Sequence, residues 1–153
     1  MVATMNELNP RITLLMPVLQ SPLLSIHVMV IMISYTLFAL ILLNATTNLI
    51  KNNHELCIMN YELNIFALFL LTAGIFIGAI WANVSWGRYW GWDPKEVWAL
   101  ITMLIYSLPL HRASLKIFQN PRFLNWYYIF AFLSVVITYF GVNFILGGMH
   151  SYA

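Results

Sequence analysis

The chain has 153 residues, of which 61% are hydrophobic, 16% aromatic and only 8% charged, with a formal net charge of +2. A soluble domain carries roughly a quarter of its residues as Asp, Glu, Lys or Arg, so this composition excludes an ordinary soluble fold and points to a lipid bilayer as the partner. The small, scattered positive balance gives no reason to expect nucleic acid or polybasic lipid binding, and the single cysteine, Cys57, excludes an internal disulfide, a Cys-x-x-Cys redox pair and a Cys-rich metal site.

The first twenty residues hold Glu7, Asn9, Pro10 and Arg11 with no long apolar core, so no removable signal peptide is expected, and residues 1–21 read as an N-terminal outer segment. Four apolar stretches follow, at residues 23–43, 63–82, 95–111 and 126–146. Each is long enough, or nearly so, to cross a hydrocarbon layer roughly 30 Å thick as a helix. They are separated by a polar loop (45–62, with Lys51, His54 and Glu55), a tryptophan-rich segment, and a basic loop (112–125, with Lys116 and Arg122). There is no internal repeat, linker or low-complexity tract. The expectation is an all-α polytopic integral membrane protein, one membrane domain over residues 1–153, with about four transmembrane helices and a Trp-rich extracytoplasmic loop. Short cytoplasmic loops carry the excess of Lys and Arg, which places the Arg112 and Lys51 loops inside and the tryptophan segment and both termini outside.

The second stretch contains Gly74 and Gly78 in small-xxx-small spacing, which reads as close helix packing without chemistry. Immediately after it, the run from Trp86 to Glu96 concentrates three of the six tryptophans and the charges Arg88, Asp93, Lys95 and Glu96 into eleven residues. Tryptophan offers a large apolar face and one N–H donor, so Trp86, Trp90 and Trp92 at the edge of an apolar phase suit a flat, hydrophobic, partly charged ligand, for which haem is the obvious candidate. Gly87 and Gly91 permit tight turns and close approach of backbone to a flat group. Arg88 and Lys95 suit carboxylates such as haem propionates. An interfacial aromatic belt is the plainer alternative, although three tryptophans within seven residues exceed a belt. Asp93-Pro94-Lys95-Glu96 also has an ordinary structural job as a helix start, with Asp93 as N-cap, Pro94 in the first helical position and Glu96 as the reciprocal cap.

Of the four histidines, His54 sits among Asn52, Asn53 and Glu55 and reads as a solvated surface residue. His27, His111 and His150 lie at or near helix ends in apolar sequence, where an ionisable group is costly and is a functional candidate. His27 and His150 fall at the membrane face that carries the tryptophans, and two neutral imidazoles can bind a haem iron from opposite sides. For each alone, the alternative is an interfacial histidine bonded to water or backbone. His111 is eighteen positions into a helix starting at Pro94, roughly 26 Å along its axis, so it cannot share an iron with a site at the tryptophans. It is either a ligand of a second site near the inner face, or a helix-end histidine beside Arg112 that caps carbonyls.

The pattern Trp86-Gly-x-x-Trp90-x-Trp92-Asp93-Pro94-Lys95-Glu96-x-Trp98-Ala99 resembles the tryptophan-rich "WWD" signature of haem-handling proteins, in the form of the CcsA/ResC family of System II cytochrome c maturation. Ser25-x-His27-Val28 with Ser34-Tyr35 is similar to that family's first outer histidine region, Leu110-His111-Arg112 to its transmembrane histidine, and Gly141-Val-Asn143 through His150-Ser-Tyr152 to its second outer histidine. The resemblance covers residues 22–153 and the order and spacing of three histidines.

That resemblance implies a cytochrome c haem-lyase system in which haem b is a bound substrate. His27 and His150 would be axial ligands at the outer tryptophan site, and His111 one ligand of a haem within the membrane. The haem would be presented to the Cys-x-x-Cys-His motif of an apocytochrome c, whose thiols add across the two vinyl groups. The implied setting is a bacterial inner membrane, multi-pass, with the Trp-rich loop facing the periplasm. Family members carry further spans before this region and work with, or are fused to, a CcsB/ResB-like membrane protein, so the chain resembles the family's C-terminal core. The competing readings are a System I haem handler, a b-type haem redox subunit passing electrons across the membrane, and an inactive fragment of the assembly protein.

Overall fold

In the computed structural model, residues 21–146 are described, with side chains through Val142. The segment 1–20 and the sequence candidates His150 and Tyr152 lie outside the described residues. Four α-helices account for the architecture: α1 (Pro22–Lys51), α2 (His54–Trp86), α3 (Pro94–Ser107) and α4 (Pro121–Val136). Two 3₁₀ turns, Leu108–His111 and Lys116–Gln119, connect α3 to α4, and a π-helical stretch, Ile137–Leu146, continues α4. Among the described residues there is no strand.

α1 and α2 form a long antiparallel hairpin. Ser21 caps the start of α1, its hydroxyl accepting from the Leu23 amide at 3.2 Å, with Pro22 in the first turn where a missing N–H does no harm. The loop expected at 45–62 is mostly helix. α1 runs on to Lys51, a two-residue turn follows with Asn52 in the left-handed region (φ 51°), and α2 begins at His54 under an Asn53 cap. Asn48 makes so short a turn possible: its Oδ1 accepts from the Asn53 amide at 2.7 Å while its Nδ2 donates to Cys57 Sγ at 2.9 Å. With 30 and 33 residues, the two helices reach roughly 45–50 Å and project past the hydrocarbon layer. Their polar ends belong to the protruding turns.

Three helical segments, Pro22–Lys51, His54–Trp86 and Pro121–Val142, are long and apolar enough to cross a membrane. The third expected span is shorter than the sequence suggested. α3 has 14 residues, roughly 21 Å, and the chain tightens into 3₁₀ geometry before His111. Pro109 explains the stop, because it has no N–H to offer the Ile105 carbonyl. Side chains take over at this end: Tyr127 Oη donates to Ile105 O at 2.7 Å, Asn64 Nδ2 to Tyr106 O at 3.0 Å, and His111 Nδ1 to Ser107 O at 3.0 Å.

The core is an aromatic ladder across three helices. Phe38 of α1 stacks on Tyr106 of α3 at 3.8 Å between centroids, and Tyr106 stacks on Tyr128 of α4 at 6.4 Å. Around it pack Ile41, Ala45, Ala67, Leu71, Leu124, Ala131 and Val135, all buried. In lipid such contacts hold helices together by close packing and interhelical hydrogen bonds more than by hydrophobic burial. Accordingly, Ser34 Oγ bonds Ala67 O at 2.7 Å between α1 and α2, and Thr102 Oγ1 meets Thr138 Oγ1 at 3.1 Å between α3 and the continuation of α4. Near the His111 end the core is less well satisfied. The side-chain atoms Asn60 Nδ2 and Oδ1, Asn64 Oδ1, Asn125 Oδ1, Tyr106 Oη and Tyr128 Oη are buried without a hydrogen-bond partner among the described residues. Each such group carries a desolvation penalty of roughly 1–3 kcal/mol.

Candidate functional site

At the opposite end of the bundle, the start of α1, the end of α2, the start of α3 and the first turn after α4 surround an open cleft. Its chemistry begins with His27. The ring lies across α2, and its Nδ1 is 2.8 Å from the carbonyl oxygen of Gly74. A carbonyl oxygen only accepts, so Nδ1 carries the proton and Nε2 is the nitrogen that bears the lone pair. Gly78 gives the ring its place. A Cβ at position 78 would come within 2.6 Å of His27 Cε1 and 2.8 Å of Nδ1, closer than carbon atoms approach. Gly74 and Gly78 therefore do more than let two helices approach. One supplies the bond that fixes the imidazole tautomer, the other the slot that fixes its position.

The walls of the cleft include Trp81, Tyr89, Trp90, Lys95, Glu96 and Thr138. Of the three tryptophans singled out in the motif, Trp90 faces the cleft. Trp86 ends α2 and packs edge-on against the buried Trp81 at 4.8 Å, and Trp92 stands 73% exposed, edge-on to Trp90 at 6.1 Å. Tyr35, Trp81, Tyr89 and Tyr139 also line the cleft, and sequence reasoning assigned none of them to the site. Trp81 sits inside what read as an apolar span, and the signal that marks it is its five-residue distance from the motif. The backbone at Trp92 is left-handed (φ 56°), a conformation unfavourable for a large side chain by about 1–2 kcal/mol.

The expected helix start at Asp93 is present in full. Asp93 is the N-cap, its Oδ2 accepts from the Lys95 amide at 3.2 Å, and Glu96 completes the reciprocal half of the capping box. Glu96 Oε2 accepts from the amides of Asp93 at 3.2 Å and Gly91 at 2.8 Å, so one carboxylate holds the loop from 91 to 93 against the helix. On its other side Gly91 lies against Arg88, whose Nε would be 3.2 Å from a Cβ at this position. Arg88 is thus laid along the loop, exposed. Lys95 is half-buried in the first turn of α3, outside the three long spans. Burial lowers its pKa, against a smaller upward pull from Asp93. Arg88 and Lys95 place two positive charges near the aromatic wall.

The cleft has a volume of about 170 Å³, less than the roughly 300–1,000 Å³ of pockets that enclose a whole ligand. It can take the edge of a flat molecule and leaves the remainder outside. His111 is not part of this arrangement. Its ring is exposed at the far end of α3, bonded to Ser107 O, the position of a helix C-terminal cap. Among the described residues, no three His, Cys, Asp or Glu side chains group as a metal site.

Residues 1–150 match the family model described as cytochrome C assembly protein. The chain is 43% identical over 164 positions to protein NrfI of Wolinella succinogenes, an alignment covering 99% of this chain and 18% of NrfI. It is 45% identical over 105 residues to cytochrome c biogenesis protein CcsA of Cyanophora paradoxa, covering 69% of this chain and 32% of that one. With CcsA of Pyropia yezoensis the identity is 53% over 85 residues, covering 54% and 26%. The chain therefore spans less than a third of the length of these relatives. A bundle of apolar helices carrying a tryptophan-rich, histidine-backed cleft and matched over nearly its whole length by one family model belongs to the cytochrome c assembly proteins.

Proposed function

We propose that the cleft binds one edge of haem through His27 and presents it for covalent attachment to an apocytochrome c. The observation that carries this reading is the posture of His27, with its Nδ1 proton committed to Gly74 O at 2.8 Å and its ring seated in the slot made by Gly78. A ligand histidine whose second nitrogen is tied to a carbonyl is fixed in tautomer and orientation, and its coordinating nitrogen is made more basic. The other residues fit the group. Tyr89 and Trp90 provide apolar faces, Lys95 and the nearby Arg88 provide cations for carboxylates, and the small volume leaves the far edge accessible to a second protein.

When bound, haem supplies an iron that accepts imidazole nitrogen and two vinyl groups that accept thiols. This chain's residues supply position. His27 sets the angle, the aromatic faces exclude water from one side, and the apocytochrome's Cys-x-x-Cys-His brings its sulfurs to the exposed edge, so that attachment gains mainly from proximity. By this reading His150 would supply a second nitrogen to the iron. His111, whose bond to Ser107 O selects the same Nδ1–H tautomer, would offer Nε2 to a group approaching from outside these helices.

The setting belongs to the proposal as well: a bacterial inner membrane, the tryptophan end toward the periplasm, and a CcsB/ResB-like protein as partner. Among the described residues Lys51, Arg112, Lys116 and Arg122 gather at the His111 end against Arg88 and Lys95 at the cleft, which supports that orientation. The test is holocytochrome yield in cells co-expressing an apocytochrome with the His27→Ala variant, with and without added imidazole. Loss of yield with recovery by imidazole supports the proposal. Normal yield without imidazole refutes it.

A further inference from the structure

The unpartnered side-chain atoms of Asn60, Asn64, Tyr106, Asn125 and Tyr128 belong to the same end of α2, α3 and α4. Asn60 and Asn64 are one turn apart on α2, and on the same face come Cys57 and Tyr61. Asn64 is tied to Tyr106 by its bond to the Tyr106 carbonyl at 3.0 Å, and Tyr106 is stacked on Tyr128. Tyr128 lies within electrostatic reach of Tyr61, Arg112 and Cys57, and Asn125 precedes it by three residues on α4. Asn60, Asn64, Tyr106 and Tyr128 are 0% exposed and Asn125 is 3% exposed. Neither lipid nor bulk solvent can satisfy them.

Their chemistry defines the ligand. Three amide oxygens only accept, the Asn60 amide nitrogen only donates, and two phenol hydroxyls do both. The orientation of Asn64 is settled, because its nitrogen must face the Tyr106 carbonyl. An anion would meet three carbonyl oxygens, and a cation would meet the Asn60 N–H groups and no carboxylate among these five side chains. A small neutral molecule that donates and accepts at once suits every atom, and water does so with two to four partners each.

We propose that Asn60, Asn64, Tyr106, Asn125 and Tyr128 form a water-binding site inside the helix bundle. It continues the polar end marked by Arg112, whose guanidinium carbon lies 4.0 Å over the Tyr61 ring, and makes that half of the bundle a hydrated interior. Polar groups buried at membrane depth characteristically line such interiors.

Hydroxyl-radical footprinting of the purified full chain in nanodiscs tests the site, since radiolysis of bound water oxidises the side chains it touches. Tyr106 and Tyr128 should be oxidised despite their burial, and the Asn60→Leu/Asn125→Leu variant should lower both several-fold. Unlabelled tyrosines in the unsubstituted protein, or equal labelling in the variant, would overturn the proposal. If the variant does not fold, water-edited solid-state NMR of the unsubstituted protein decides. Transfer from water to the Asn60 side-chain amide supports the site and its absence refutes it. Labelling that changes on replacing sodium by potassium would also refute it, in favour of a cation.

Discussion

Gly78→Ala is the substitution that separates a functional slot from ordinary helix packing. The added methyl carbon would lie 2.6 Å from His27 Cε1, 2.8 Å from Nδ1 and 3.3 Å from Nε2, against an ordinary contact of roughly 3.5–4.0 Å. The ring must move by about 1 Å, and the 2.8 Å bond to Gly74 O cannot survive that movement. Overpacking of this kind costs roughly 1–3 kcal/mol and a stranded polar pair roughly 1–3 more, partly offset by about 1 kcal/mol of better helix propensity. The net destabilisation is about 1–5 kcal/mol, and His27 loses its fixed tautomer.

Gly74→Ala is the comparison, because its methyl would crowd Ile31, at 2.5 Å from Cδ1 and 2.8 Å from Cγ1, rather than the imidazole, while the residue 74 carbonyl stays. Nitrogen-15 NMR of histidine-labelled protein reports the tautomer directly, and thermal unfolding in nanodiscs reports stability. The expected result is an Nδ1–H signature for His27 in the unsubstituted and Gly74→Ala proteins, and a mixed or exchanging signal with a lower melting temperature in Gly78→Ala. An unchanged His27 signal in Gly78→Ala would refute the reasoning.

Further expectations follow from single contacts. Tyr127→Phe removes the hydroxyl that serves the Ile105 carbonyl and should lower stability by about 1 kcal/mol, read as a drop in melting temperature. Glu96→Ala releases the amides of Gly91 and Asp93 together, and hydrogen exchange should show both amides losing protection, with a stability loss of about 1–2 kcal/mol. Trp92→Gly relieves the left-handed backbone and should leave stability equal or higher by up to about 1 kcal/mol, while haem retention on purification falls, because Trp92 stands edge-on to the cleft-lining Trp90. Retention unchanged in that variant would remove Trp92 from the site.

What could be read from sequence divides by distance along the chain. The helix start at Asp93 was legible because a capping box is local, its donors and acceptors lying within three residues. The long spans were legible from composition, yet their ends were not. Asn48 and Asn60 read as loop residues, whereas one closes the hairpin turn and the other is fully buried. The third span was read through to His111 because Leu108 and Leu110 keep the segment apolar, while Pro109 ends the α-helix there. His27 was a visible candidate, and Gly74 and Gly78 were visible as a pair. Their connection runs across roughly fifty residues, between two helices, and no local pattern encodes it. The tryptophan motif was likewise conspicuous, but no local pattern tells that Trp90 lines the cleft while Trp92 stands exposed.

Absorption spectra of the purified protein decide whether His27 is the residue through which this cleft holds haem. The unsubstituted chain and the His27→Ala and His150→Ala variants should be compared at equal protein concentration, oxidised and reduced. The unsubstituted protein should show a haem spectrum that is lost or strongly weakened in His27→Ala and restored in shape by added imidazole. Full haem occupancy with an identical spectrum in His27→Ala would contradict it.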